Sequence, residues 1–325
     1  MRRVKLLAGL AALLAAGLIV SLGVGAVSIA PGQVLGVLWA RLTAAPPPSA
    51  QAAIIVWDLR LPRALLAVAI GAGLASAGAA YQAVFRNPLA DPFVIGASGG
   101  AALGATAAIV GGLPLVMPAA FAGAVLAVIA VYLLAQTGGR PSAINLLLAG
   151  AALSTLLSSA VTLLMFLSDR NLHEVFAWLM GGLAGRSWSH LRTTAPLMLA
   201  GVVALWVLAR PLDALTGGEE SAQSLGLNLG RARFAIVAAA TLATAAAVAA
   251  GGIIGFVGLI VPHAGRRLVG GAHAGLIPVS ALAGGLLVLL ADGLARTVVA
   301  PVELPVGVLM ALIGAPFFLW LLKRG

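Results

Sequence analysis

A succession of long, almost uncharged apolar runs constrains this chain more than any other feature. They fall at 6–29, 62–84, 93–111, 114–135, 142–167, 192–209, 232–250, 254–268, 277–297 and 304–322. A helix needs about 20 apolar residues to cross a bilayer core. The pattern therefore predicts an all-α, polytopic membrane protein of about ten transmembrane helices, with residues 1–325 forming one transmembrane domain. The runs are continuous and do not alternate with a period of two, which disfavours a β-barrel. A soluble fold is excluded, because 62% of residues are hydrophobic and only 9% are charged, against about a quarter charged in globular domains. The 41 glycines suit helices that pack backbone against backbone in lipid.

The first run follows a basic tip, Arg2, Arg3 and Lys5. Its length exceeds the roughly 7–15 residues of a signal-peptide core, so a first span is expected rather than a cleaved leader. With the N-terminus inside, 12 of the 19 Lys and Arg residues lie on the cytoplasmic side, among them Arg86, Arg140, Arg210, Arg231, Arg233, Arg266 and Arg267. Arg41, Arg60, Arg63, Arg170, Arg186, Arg192 and Arg296 lie outside. That bias predicts an N-in, C-in chain. The net charge of +10 thus reads as topology, since no polybasic cluster suggests nucleic acid.

Three connections are long. Residues 31–61, outside, carry Pro46-Pro47-Pro48, read as an extended spacer, and then Asp58-Leu59-Arg60-Leu61-Pro62-Arg63 at the mouth of the second span. Residues 168–191, also outside, hold an apolar stretch at 172–185 that is too short and glycine-rich to cross. That stretch and the run at 254–268, interrupted by Pro262, leave two readings open: a short re-entrant segment beside a pathway, or an ordinary hairpin loop. Residues 210–233, inside, hold Asp213, Glu219 and Glu220, three of the nine acids. There 219–225 reads as a short helix with Leu225 and Leu227 toward apolar surroundings and Gly226 as its stop. A docking element for a cytoplasmic partner and a solvated connector are both compatible with it.

Several chemistries are excluded or disfavoured. Cysteine is absent, so thiolate nucleophiles and Cys-based metal sites do not arise. Neither Lys5 nor Lys323 sits in a phosphate-binding loop. The histidines, His173, His190, His263 and His273, lack metal-ligand spacing, so no metal site is expected. Gly96-Ala97-Ser98-Gly99-Gly100 matches a nucleophile-elbow pattern but opens a membrane helix with no preceding strand. Helix packing through Gly96, Gly100 and Gly104 accounts for it better, and an intramembrane hydrolase would lack its base. Asp292 and Arg296 lie four residues apart on one helix face, close to a membrane edge. Arg60, Arg63 and Arg296 would then present a positive rim to an acidic soluble partner.

A family resemblance rests on a series of strings in order along the chain. They are Leu59-Arg60-Leu61-Pro62-Arg63, then Phe85-Arg86-Asn87-Pro88-Leu89-Ala90-Asp91-Pro92 with Gly96, Leu146-Leu147-Leu148-Ala149-Gly150, Gly255-Phe256-Val257-Gly258-Leu259-Ile260-Val261-Pro262-His263, and Glu303-Leu304-Pro305-Val306-Gly307 with Gly314-Ala315-Pro316. This series resembles the FecCD-type permeases, membrane subunits of ATP-driven importers for iron-siderophores, haem and vitamin B12. The resemblance implies ten helices, a homodimer around a central path, two cytoplasmic ATP-binding subunits and a periplasmic or extracellular substrate-binding protein, in a bacterial inner membrane. It implies no cofactor on this chain, with ATP and Mg held by the partner ATPase.

By the same resemblance, Arg60, Arg63 and Arg296 match positions that pair with glutamates of the binding protein. The 213–230 stretch is similar to the coupling helices, with Asp213, Glu219, Glu220, Ser224, Leu225 and Gly226 as candidates. Asn87, Leu89, Ser142, Ala143 and Ile144 match inner-gate segments, although Ala143 and Ile144 stand where vitamin B12 members carry small hydroxyl residues. Ala177-Trp178-Leu179-Met180-Gly181-Gly182 resembles a short helix at the outer cavity, and its Gly-Gly leans toward a corrinoid cargo. The rival is an ion-driven secondary transporter, which would keep ionisable groups near the midplane; spans two to seven are almost free of them.

Overall fold

The computed structural model describes residues 2–25, 27–137 and 140–323. Its helices are α1 (Arg2–Gly23), α2 (Pro31–Thr43), α3 (Ala50–Ala53), α4 (Leu61–Val84), α5 (Ala97–Val110), α6 (Val116–Leu134), α7 (Ala143–Phe166), α8 (Leu172–Leu179), α9 (Trp188–Val207), α10 (Ala209–Thr216), α11 (Glu219–Ser224), α12 (Leu229–Gly251), α13 (Val257–Val269), α14 (His273–Ala295) and α15 (Val306–Leu322). Among the described residues the only extended pairing is two residues long, Gln136 opposite Pro141 and Thr137 opposite Arg140. Among the described residues seven helices are long and apolar enough to cross a membrane: α1, the stretch Ala50–Val84, α6, α7, α9, α12 and α14. The shorter α5, α13 and α15 supply the remaining runs. The fold is all-α, as the sequence predicts.

One connection differs from expectation. Residues 31–61 are not a loop: Pro31 opens α2, where its fixed φ suits the first turn. The Ser49 side chain caps α3 by accepting from the Ala52 N–H at 3.3 Å. A π-helical turn, Ile54–Arg60, then joins α3 to α4 without a break. Within 31–61 only residues 44–49, which include Pro46 to Pro48, stay outside any helix.

The sequence of α4 makes it the centre of the bundle. Nineteen of its 24 residues are buried, against α9, α12, α13 and α14. Small residues let those neighbours come close. A methyl added at Gly71 would overlap the Gly284 backbone of α14, and one at Gly78 would overlap the Gly258 backbone of α13. The α5–α6 crossing repeats the device, with Gly100 on Gly123 and Gly104 on Ala119. The expected glycine packing is therefore present at Gly100 and Gly104. Gly96 has a different reason, since it sits at φ +85° before α5, a left-handed conformation that glycine adopts without cost.

Two segments break at depth. Asn171, just before α8, donates to the Ile109 carbonyl at the end of α5 (3.2 Å). The other end of α8 leads to Gly181, whose Cα packs on the Gly252 backbone. Gly182 N–H donates to Gly251 O (2.8 Å) and Gly307 N–H to Gly181 O (3.2 Å). Gly251 in turn lies against Ile70, nine residues into α4 and so about 14 Å below its start. Residues 172–185 thus dip in and return, the re-entrant reading of the short outer helix. Beyond Gly252, residues 252–256 are irregular. α13 begins only at Val257, with Gly258 against α4 near Gly78, about 26 Å from Leu61. The Gln82 side chain donates to Gly258 O at 3.1 Å and Ala90 O at 3.4 Å, satisfying carbonyls that no helix serves.

The close crossings are directly testable. Gly71→Ala or Gly78→Ala is expected to destabilise the chain by about 1–3 kcal/mol or more through overpacking, read as a lower unfolding temperature in detergent. Gly9→Ala, where nothing lies within 4 Å, is expected to leave that temperature unchanged or raise it, because alanine favours helix.

Candidate docking, coupling and path-lining sites

At the end of the bundle where α4 starts, α1, α4 and α14 bring the three candidate arginines together. Asp292, fully buried, accepts from Arg63 Nε at 3.0 Å and Nη2 at 2.9 Å, and Arg296 Nε lies 3.3 Å from its other oxygen. Arg63 Nη1 donates to Glu303 at 2.8 Å. Arg296 Nη2 donates to Ser21 Oγ at 2.8 Å. Arg60 donates to Leu22 O at 2.8 Å and also to Val27 O. The open rim expected from sequence is therefore an interlocked cluster, with Arg60, Arg63 and Arg296 only 8%, 9% and 6% exposed. The helix mouths are too poorly hydrated to leave such charges unpaired. The i,i+4 spacing pointed to Arg296 as the partner of Asp292, but the bidentate partner is Arg63, 229 positions away.

Above this cluster is a 390 Å³ cavity bordered by Asp58, Arg60, Arg63, Arg186, Arg296 and Glu303. Sequence reading passed over Arg186. Its Nε is buried without a hydrogen-bond partner, in the return limb of the re-entrant segment. This leaves a cation at the cavity wall ready for an added carboxylate.

The 210–233 connection, at the opposite end, holds two short helices rather than one. α10 buries Leu212 and Leu215, and α11 buries Ala222. Asp213 accepts from the His273 backbone N–H at 2.8 Å and sits 2.6 Å from its Nδ1, fastening α10 to the start of α14. Glu219 pairs with Arg233 of α12. Ser224 Oγ donates to Ser221 O at 2.9 Å, and Gly226 at φ +80° ends the segment. Leu225 is 76% exposed, not turned to apolar surroundings as expected. It stands with Glu220 on an outward tip whose base is tied to two transmembrane helices.

The candidate gate residues lie at that same end. Asn87 Oδ1 accepts from the Leu89 N–H at 2.9 Å, shaping the turn after α4. Ser142 caps α7 by accepting from the Asn145 N–H at 3.1 Å. Ala143 packs at the edge of a cluster containing Phe85, Ala90 and Leu146, while Ile144 is exposed. Both segments thus border one apolar cluster. Beyond Ala143, α7 leaves Thr155, Ser158, Ser159 and Thr162 exposed along one face. Three of these hydroxyls donate to the carbonyl four residues before, at 3.0 Å. A 460 Å³ cavity between α5, α7 and α8 is lined by Ser98, Ser158, Thr162, Phe176 and Ile253. The spacing of these hydroxyls by three and four was legible in the sequence and was overlooked.

Known proteins share the fold and much of the sequence. The chain is 46% identical over 301 residues to the cobalamin import permease BtuC of Halobacterium salinarum, covering 89% of this chain and 80% of that one. It is 41% identical to the hemin transport permease HmuU of Yersinia pestis, covering 83% of each. A solved structure described as an inward-facing conformation of a metal-chelate type ABC transporter superposes with a TM-score of 0.88 at 34% identity, over 99% of both chains. The FecCD transport family matches residues 13–324, and the chain belongs to that family.

Proposed function

We propose that the chain is the membrane permease subunit of an ATP-driven importer for a metal chelate, working as a homodimer in a bacterial inner membrane. The observation that carries this is the row of hydroxyls on the exposed face of α7. Lipid gives such a face no advantage, whereas a water-filled path shared with a second copy would hydrate it. The family and the relatives named above support the same reading.

In this reading the Arg63 end faces outward and both chain termini lie in the cytoplasm, as the Lys and Arg bias suggests. The substrate-binding protein docks over the 390 Å³ cavity, where its carboxylates meet Arg186 and compete with Glu303 for Arg63. Arg60 and Arg296 hold the mouths of α1, α4 and α14 in register. The ATP-binding subunits meet the 210–233 tip, with Leu225 as the apolar anchor and Glu220 beside it. Their movement on binding ATP and Mg, which this chain does not itself hold, passes through Asp213 to α14 and through Glu219 to α12. The segments 87–89 and 142–144 then open or close the inner mouth. ATP drives the switch because its affinity differs between the two states. The relatives are named for cobalamin in one case and for hemin or ferric citrate in others; the Trp178-to-Gly182 string leans toward a corrinoid as the chelate.

Three outcomes test this. Leu225→Asp is expected to abolish co-purification of the ATP-binding subunits while the permease stays folded; full recovery of the complex would contradict the anchor. Arg186→Glu is expected to weaken binding-protein affinity, more at low than at high ionic strength, without altering the unfolding temperature. Arg63→Ala, by contrast, removes the bidentate partner of the buried Asp292 and leaves it only the Arg296 contact, and is expected to cost about 3–5 kcal/mol in stability.

A further inference from the structure

A second polar hollow, of 440 Å³, lies at the end of the bundle that carries the 210–233 connection. It is bordered by Gln82, Arg86, Thr216, His263, Arg266 and Arg267, three guanidiniums with no carboxylate in the lining. The nearby acids are engaged elsewhere, Asp213 with His273 and Glu219 with Arg233. Among the described residues no ion pair reaches Arg86, Arg266 or Arg267.

The hollow is built rather than accidental. Arg266 donates to Gln82 Oε1, and the Gln82 amide nitrogen is itself fixed to the carbonyls of Gly258 and Ala90. That chain of contacts sets the plane of one guanidinium. Arg86 stands at φ +48°, a left-handed conformation uncommon for a non-glycine residue, and its guanidinium approaches Gly218 beside α11. His263 Nε2 is buried and unpartnered, leaving one more polar atom of the lining unused.

Three like charges gathered in a partly enclosed space repel one another, and a multivalent anion relieves that repulsion. The forked geometry of arginine matches phosphoryl oxygens two at a time. The volume equals about fifteen waters, more than a single carboxylate fills. Basic pockets between transmembrane helices on the cytoplasmic side suit lipid headgroups by the same chemistry. We propose that this hollow is an anion site that takes a phosphoryl group, presented either by an anionic phospholipid headgroup or by free phosphate.

The test uses the full chain alone, so its result does not depend on any partner subunit. Thermal unfolding is followed in detergent as inorganic phosphate is titrated at constant ionic strength. It is followed again in nanodiscs of phosphatidylcholine with and without phosphatidylglycerol. Saturable stabilisation by phosphate that is about tenfold weaker in Arg86→Gln and Arg267→Gln, and unchanged in Arg231→Gln outside the hollow, identifies a site for free phosphoryl anions. Stabilisation by phosphatidylglycerol alone, lost in the same two variants, identifies a headgroup site. Arg267→Lys, which keeps the charge, should retain part of either response. No response to phosphate or to phosphatidylglycerol, or a response the two glutamine variants leave intact, overturns the proposal.

Discussion

The contact of backbone with backbone at glycine is what the rest of this structure depends on. In lipid the apolar side chains of separate helices gain little by meeting, so association relies on close packing and on satisfied polar groups. Gly71 on Gly284 and Gly78 on Gly258 bring α14 and α13 against α4. The junction of Gly181, Gly252 and Gly307 holds two broken segments in place below the membrane surface. With bulkier residues there, the re-entrant segment would have no seat and residues 252–256 no cover. The irregular backbone beside the proposed path is therefore a consequence of the glycines around it.

Charge is distributed by the same logic. The buried Asp292 ties α4 and α14 together through Arg63, and Glu303 extends the pair to the connection before α15. At the other end, Asp213 and Glu219 fasten a water-facing loop to α14 and α12. Acids thus act as staples at both mouths, where hydration is partial and an unpaired charge would be costly. Among the described residues no ion pair reaches Arg186 at one mouth or Arg86, Arg266 and Arg267 at the other. These unmatched cations are the places where a ligand or partner has something to gain.

Much of this was legible in the sequence. The ten apolar runs each became a helix, because hydrophobic length is read locally. The 219–225 helix and its Gly226 stop also appeared, since capping and breaking are local signals. Long-range pairing was not legible. Asp292 meets its i,i+4 neighbour Arg296 and also takes Arg63 across 229 positions as its bidentate partner, and no spacing rule reveals the second. Residues 31–61 looked like a loop because Pro, Arg and Asp dilute the apolar pattern, yet Pro31 starts a helix and 50–60 extend α4. Leu225 faced outward because the two turns of α10 and α11 bury Leu212, Leu215 and Ala222 instead. The basic hollow joins residues from three separate parts of the chain, 82–88, 216 and 263–267, so only the fold assembles it.

The central claim is that these parts serve ATP-driven uptake of a chelate through a path lined by α7. The most direct measurement is uptake of labelled cobalamin, hemin or a ferric chelate into proteoliposomes holding the permease with its ATP-binding subunits, with binding protein supplied outside. The account predicts uptake that requires ATP inside the vesicle and both soluble partners, and that falls when Ser158 and Thr162 are replaced by leucine. Uptake that proceeds without ATP, driven by a proton or sodium gradient on the permease alone, would contradict it.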